Sequence, residues 1–283
     1  MMDQALSLRQ LVAEQATERP DPVGPPVLVF GSGKGGVGKS VISVLVAQAL
    51  AAGGARVLLV DGSQNLGHLH VMLGVTVDAR LEQVLRGEAE PASLLVQVTD
   101  QLWLLPSDSG AESLYALPAL DQARLHHRLA SLYDGFDVVV VDAGSGLETV
   151  VRLATMGGTR LVVVTVPEVA ALTNAYALIK LVHAQVPSLP IDLLVNRATG
   201  PHDAAETADR LTVAAGRFLG RELGPIGGLE ETPALREAMR RPGALLVDSA
   251  LEPLRAQVRR MVANHLIRRA EATPDLINAG RPE

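Results

Sequence analysis

The sequence predicts a doubly wound α/β fold, a mostly parallel sheet with helices on both faces, and three observations predict it. Runs of Val, Leu and Ile without polar alternation, such as Val138 to Val141 and Leu161 to Val166, read as strands buried on both sides. These runs alternate along the chain with stretches of helical periodicity, the arrangement that builds a parallel sheet. The first apolar run also leads into a glycine-rich loop and then a helix, an order that a loose surface turn does not need.

Residues 4 to 17 read as a helix, with Ala5, Leu8, Leu11, Val12 and Gln15 on one semi-apolar stripe. Pro20, Pro22, Gly24, Pro25 and Pro26 then stop it, because proline lacks the amide that a helix interior uses. The expected organisation is therefore an N-terminal helix (1–18), a stiff linker (19–26), one nucleotide-type domain (27–270) and a short tail (271–283). The N-terminal helix is either a tethered appendage or lies back on the core. Within the domain, Val27 to Phe30 is the first strand and Val41 to Ala52 the helix that leaves the loop. A strand at Arg56 to Asp61 and a helix at Asp78 to Arg86 follow. Next come a strand at Leu102 to Leu105, a helix at Asp121 to Tyr133, and strands at Asp137 to Asp142 and Leu161 to Val166. A helix at Ala171 to Val186, a strand at Ile191 to Asn196, a helix at Ala204 to Leu219 and a short strand near Leu223 to Ile226 complete the alternation. The last helix, about Leu251 to Arg269, carries Leu254, Val258, Met261, Val262 and Leu266 on one side and five arginines elsewhere. That pattern suits either core packing with a basic outer face or a membrane surface.

The loop Gly31 to Ser40 carries the chemistry. Gly33, Gly38, Lys39 and Ser40 satisfy G-x-x-x-x-G-K-[ST], in which converging backbone amides hold phosphates at a helix N-terminus. Lys39 would hold the β- and γ-phosphates, and Ser40 would ligate Mg²⁺. The expected ligands are thus ATP or ADP with Mg²⁺. In an open parallel sheet the site lies at the carboxyl ends of the strands, which selects Asp61, Asp142 and Asn196. Asp142, after four valines, reads as part of the Mg²⁺ shell or as a cap for a helix before Leu147. Asn196-Arg197 reads a base edge or shapes a turn. His68 and His70 have a metal-like spacing but no third ligand in sight, so they, like His126 and His127, read as ordinary solvated histidines.

Composition narrows the classes. Without cysteine, disulfides, thiolate metal sites and iron–sulfur clusters are all excluded. A net charge of −6 gives no general attraction to nucleic acid. No run of about 18 apolar residues spans a membrane and no signal peptide is visible, so a cytoplasmic protein is expected. With apolar residues at 48% and aromatics at 2%, the core must be built from aliphatic side chains.

Lys34-Gly35-Gly36-Val37-Gly38-Lys39-Ser40, with its additional Lys34, resembles the deviant Walker A loop of the MinD/ParA ATPases. Asp3-Gln4-Ala5-Leu6-Ser7-Leu8-Arg9, Leu172 to Lys180 and Asp142-Ala143-Gly144-Ser145-Gly146 further resemble the FlhG (FleN, YlxH) group, which sets the number and placement of bacterial flagella. The resemblance covers residues 3 to about 269. It implies an ATP-bound homodimer in which Lys34 reaches the partner's nucleotide, and a nucleotide site formed by residues 33–41 with Asn196 and Arg197. It further implies Mg²⁺ held by Ser40, Asp61 and Asp142, catalytic roles for Lys34, Lys39 and Asp142, and a hinge at Gly144. Asp3, Gln4, Ala5, Leu8 and Arg9 would engage an FlhF-like GTPase, with flagellar switch proteins as further partners. Placement at the inner face of the membrane is a further implication. Cargo positioning at a chromosome, plasmid or division site is the alternative within the family. One departure stands out: Ser63 occupies the position where the family has an aspartate that positions the attacking water. A hydroxyl carries no charge to polarise that water, so binding without rapid hydrolysis is expected. A second is Gly227 to Pro233, where the family has Pro-x-Asp near the nucleotide.

Overall fold

A computed structural model describes residues 24–63, 67–77, 83–84, 88–106, 132–144, 146–156 and 158–267. Among them, eight strands form one sheet in the order β3-β4-β2-β5-β1-β6-β7-β8. The strands are β1 (Val27–Gly31), β2 (Val57–Asp61), β3 (Val96–Thr99), β4 (Leu102–Leu105), β5 (Val138–Asp142), β6 (Arg160–Thr165), β7 (Ile191–Val195) and β8 (Gly224–Gly228). All pairs are parallel except β3 with β4, a tight antiparallel hairpin at one edge. The central strands β1 and β5 are buried at every position, which explains their unbroken apolar runs.

Successive strand residues face opposite layers. Leu28, Phe30, Leu59, Val140 and Val162 join one core with α1 (Lys39–Ala52) and a later helix, α8 (Glu252–Met261). Val29, Leu58, Val139, Leu161 and Val163 join the other with α3 (Leu147–Met156), α4 (Val169–Gln185) and α5 (Pro201–Leu219). Helices therefore cover both faces, as the sequence predicts. Helix α4 buries Ala171, Ala175, Leu178, Ile179 and Val182, the one-sided spacing of a surface helix. Helix α1 is buried nearly all round, from Ile42 to Val46, because α8 lies over its outer side.

Several short elements are not evident from periodicity: α2 (Leu69–Leu73), β3, α6 (Pro233–Ala238) and α7 (Ala244–Val247). The ten-residue α3 begins at Leu147, where the helix-cap alternative for Asp142 alone points to a helix. The expected last helix is regular only over α8 and continues in π geometry from Val262 to Ile267. Its Leu254, Val258 and Val262 are buried, and Arg255 and Arg259 pair with Glu252, so the apolar face serves the core. At the expected end of the linker, the Pro26 carbonyl accepts from the Val139 amide beside β1. The N-terminal helix with Asp3, Gln4, Ala5, Leu8 and Arg9, most of the helices expected at 78–86 and 121–133, Ser145, His126, His127 and the tail lie outside the described residues.

Candidate functional site

A cavity of about 680 Å³ opens at the carboxyl edge of the sheet. Ser32 and the run from Gly35 to Lys39 bring the phosphate loop into its lining, and Ser40, Val41, Ser63, Gly144, Asn196 and Arg197 line it as well. Three glycines shape the loop. A Cβ on Gly33 would fall 2.1 Å from the Asn174 carbonyl oxygen, so the loop rests directly on the backbone of α4. Gly36 and Gly38 take φ of 78° and 85°, a region that side chains disfavour. Gly38 also abuts Asn196, whose Nδ2 donates to the Val37 carbonyl at 2.8 Å. Asn196 thus ties β7 to the loop while lining the cavity. The adjacent Arg197, with φ of 55°, is the single non-glycine among the described residues in the left-handed region, so this dipeptide also makes a turn.

Lys39 starts α1, and its buried ammonium donates to Asp142 Oδ1. Both groups are nearly inaccessible, 6% and 0% exposed. The second oxygen, Asp142 Oδ2, is buried and has no hydrogen-bond partner. The carboxylate is therefore spent on Lys39 rather than on an amide of α3, against the helix-cap reading. Asp61 takes a different part. Its Oδ1 accepts from the Ser63 amide at 3.1 Å, and its Oδ2 accepts from His68 and Leu69 at 3.0 and 3.1 Å. It organises the segment after β2 and the start of α2.

Ser63 and Gly144 follow the adjacent strands β2 and β5 and meet back to back. A Cβ on Gly144, where φ is 66°, would sit 2.9 Å from Ser63 Cα. Ser63 Oγ is buried without a partner. The structure thus brings together two residues that the sequence places 81 positions apart. His68 is exposed and lines the cavity, whereas His70 lies in α2 with its Nδ1 buried, so it is not a solvated loop residue.

Two features escape the sequence reading. Lys34 Nζ lies 2.7 Å from Glu168 Oε2, and that contact holds the Glu168 carboxyl below its ordinary value. Glu168 follows β6 at the same sheet edge, so the strand-end rule that selected Asp61 and Asp142 would have found it. At the far end of the cavity, Ile42, Leu45, Leu229, Leu235, Met239 and Leu254 make an apolar slot. Glu231 pairs there with Arg197 at 3.6 Å and Arg236 at 3.4 Å.

This donor set fits a nucleotide with Mg²⁺. An open loop of backbone amides ends in a lysine, with no atom within 4 Å of the space beside Gly35 and Gly36. Beside it stand a carboxylate oxygen without a partner, the Ser40 hydroxyl and the apolar slot.

The chain matches the AAA domain family over residues 26–191. It is 31% identical over 219 residues to the antiactivator FleN of Pseudomonas aeruginosa, covering 77% of this chain and 78% of that one. It is 30% identical over 214 residues to the flagellum site-determining protein YlxH of Helicobacter pylori, covering 75% and 72%. The septum site-determining protein MinD of Bacillus subtilis is 32% identical over 175 residues, 60% and 64% of the two chains. Among solved structures, MinD of Pyrococcus horikoshii complexed with Mg-ADP superposes with a TM-score of 0.66 at 22% identity, covering 84% of this chain and 96% of that one. A ParA family ATPase from Chlorobium tepidum gives 0.67 at 24% identity, covering 86% and 99%.

Proposed function

The chain belongs to the MinD/ParA family of P-loop ATPases, in its FleN/YlxH (FlhG) branch, and on that premise we propose that it is an ATP-dependent dimerising switch that sets the number or placement of flagella. The observation that carries the reading is the intact phosphate loop with Lys34 at its exposed rim, in a chain similar over most of its length to FleN and YlxH.

Residues 33–41 would hold ATP or ADP, with Lys39 leaving Asp142 to meet the phosphates. Ser40 and Asp142 would hold Mg²⁺, with Asp61 shaping the segment beside them. When bound, Mg²⁺ neutralises charge on the phosphates. Lys34 would act on the nucleotide of a second copy, where a cation supplied in trans couples dimerisation to ATP. Asn196 and Arg197 would border the base. Gly144 would move against Ser63 when the terminal phosphate is present. The partners in this reading are a second copy, an FlhF-like GTPase engaged through Asp3, Gln4, Ala5, Leu8 and Arg9, and flagellar switch proteins, in the cytoplasm or at the inner face of the membrane. Among the described residues no helix is long and apolar enough to cross a membrane.

Ser63 makes turnover slow. Ser63 lines the cavity and carries no charge, and loss of a water-orienting group costs on the order of 10² to 10⁴ in rate. Phosphate release by Ser63→Asp is expected to exceed that of the native chain, and equal rates would remove this part of the account. The cargo is tested in the source bacterium by deleting the gene and restoring it with the native or the Lys39→Ala form. Flagellar number or position is expected to change, with rescue by the native form alone. Unchanged flagella with misplaced septa or lost chromosomes would shift the function to another cargo of the family.

A further inference from the structure

In the single subunit, Lys34 reaches from the loop to Glu168, which follows β6. Glu168 sits at the N-cap of α4, yet its side chain caps no amide of that helix. Its carboxylate accepts from Lys34 instead, so the contact is not part of how α4 is terminated. The pair lies in a surface with few obstructions: Gly35, Gly36, Val169 and Ala170 are exposed, and Val169 is 79% accessible. Gly35 has an unstrained φ and open space where its Cβ would be, so nothing within this chain requires a glycine there.

We infer that Glu168 is the resting partner of Lys34, and that this pair must break before Lys34 can act on a second copy. The inference rests on the dimerising reading and adds its threshold. While the ammonium is held by a carboxylate of its own chain, it is withheld from a second subunit's phosphates. ATP supplies the competing negative charge. Because 40% and 54% of the two side chains are exposed, the hold is weak and screened by salt, so it tunes assembly rather than preventing it.

Two measurements on the full chain separate this inference from the dimer itself. In the nucleotide-free monomer, the labelling rate of Lys34 by an amine-reactive reagent, read by mass spectrometry, is expected to rise about two- to fivefold in Glu168→Gln, the scale of an exposed pair. With MgATP, light scattering is expected to show Glu168→Gln dimerising at a protein concentration lower by a similar factor. Added salt should bring the native chain toward the variant. Equal labelling in the two proteins overturns the pair. Increased labelling with weaker dimerisation overturns its role as a restraint, because Glu168 would then be needed in the dimer. If the native chain stays monomeric in MgATP, the dimerising reading fails, while the labelling result still decides the pair.

Discussion

Replacing Asp142 by Ala leaves the Lys39 ammonium buried without its counter-charge, and the cost follows from how little water reaches it. Lys39 is 6% exposed and Asp142 is 0% exposed, so neither group can recover its hydration by a small movement. Removing one partner of such a pair costs about 3–5 kcal/mol. For a globular domain stabilised by about 5–15 kcal/mol, that is a large fraction of the total. At about 2–4 °C per kcal/mol, the melting temperature should fall on the order of 10 °C. Lys39→Ala should cost a comparable amount, because the carboxylate would then have both oxygens without partners; Oδ2 already has none. The double variant should lose at least about 2 kcal/mol less than the sum of the two single losses, since it buries no lone charge. Urea unfolding of the four proteins without nucleotide measures the cycle. Single losses below about 1 kcal/mol, or strict additivity, would refute the reasoning and mean that the pair is hydrated in solution.

The remaining predictions concern backbone space and protonation. Gly33→Ala must displace the loop from the Asn174 carbonyl, so binding of a fluorescent ATP analogue should be lost, whereas Gly35→Ala should leave monomer stability within about 0.5 kcal/mol because its Cβ meets nothing within 4 Å. His183 has its pKa lowered by burial and then by Arg221, whose Nη1 lies 3.1 Å from its Nδ1. The unfolded chain therefore takes up the proton first: the contribution is complete above about 6.5 and is lost as pH falls from there toward the lowered value. Melting temperatures in that window should decline more steeply for the native chain than for His183→Gln, and parallel curves would contradict this.

The layered sheet was legible because its central strands are buried on both faces, and that burial demands unbroken runs such as Val138 to Val141. Strand β3 was not, because Val96–Thr99 is half exposed at an edge, pairs antiparallel and carries only two apolar residues. The short helices α2, α6 and α7 hold too few turns to show a period, and their ends are set by tertiary contacts. Gly243, for example, donates to the Met72 carbonyl. In the site, the loop, Asp142 and Asn196 were legible from motif and strand position. Their mutual bonds were not: no spacing says that Asp61 turns both oxygens to amides, or that Asn196 holds the Val37 carbonyl. The meeting of Ser63 with Gly144 likewise depends on β2 and β5 being neighbours, which strand order decides and sequence order hides.

The measurement that tests the central claim most directly is the mass of the full chain in solution, by light scattering, with no nucleotide, with MgADP and with MgATP. The account predicts a monomer in the first two conditions, a dimer in MgATP, and a monomer throughout for Lys34→Ala that still binds the ATP analogue. A native chain that stays monomeric in MgATP while binding it, or a Lys34→Ala variant that dimerises as well as the native chain, would contradict the account.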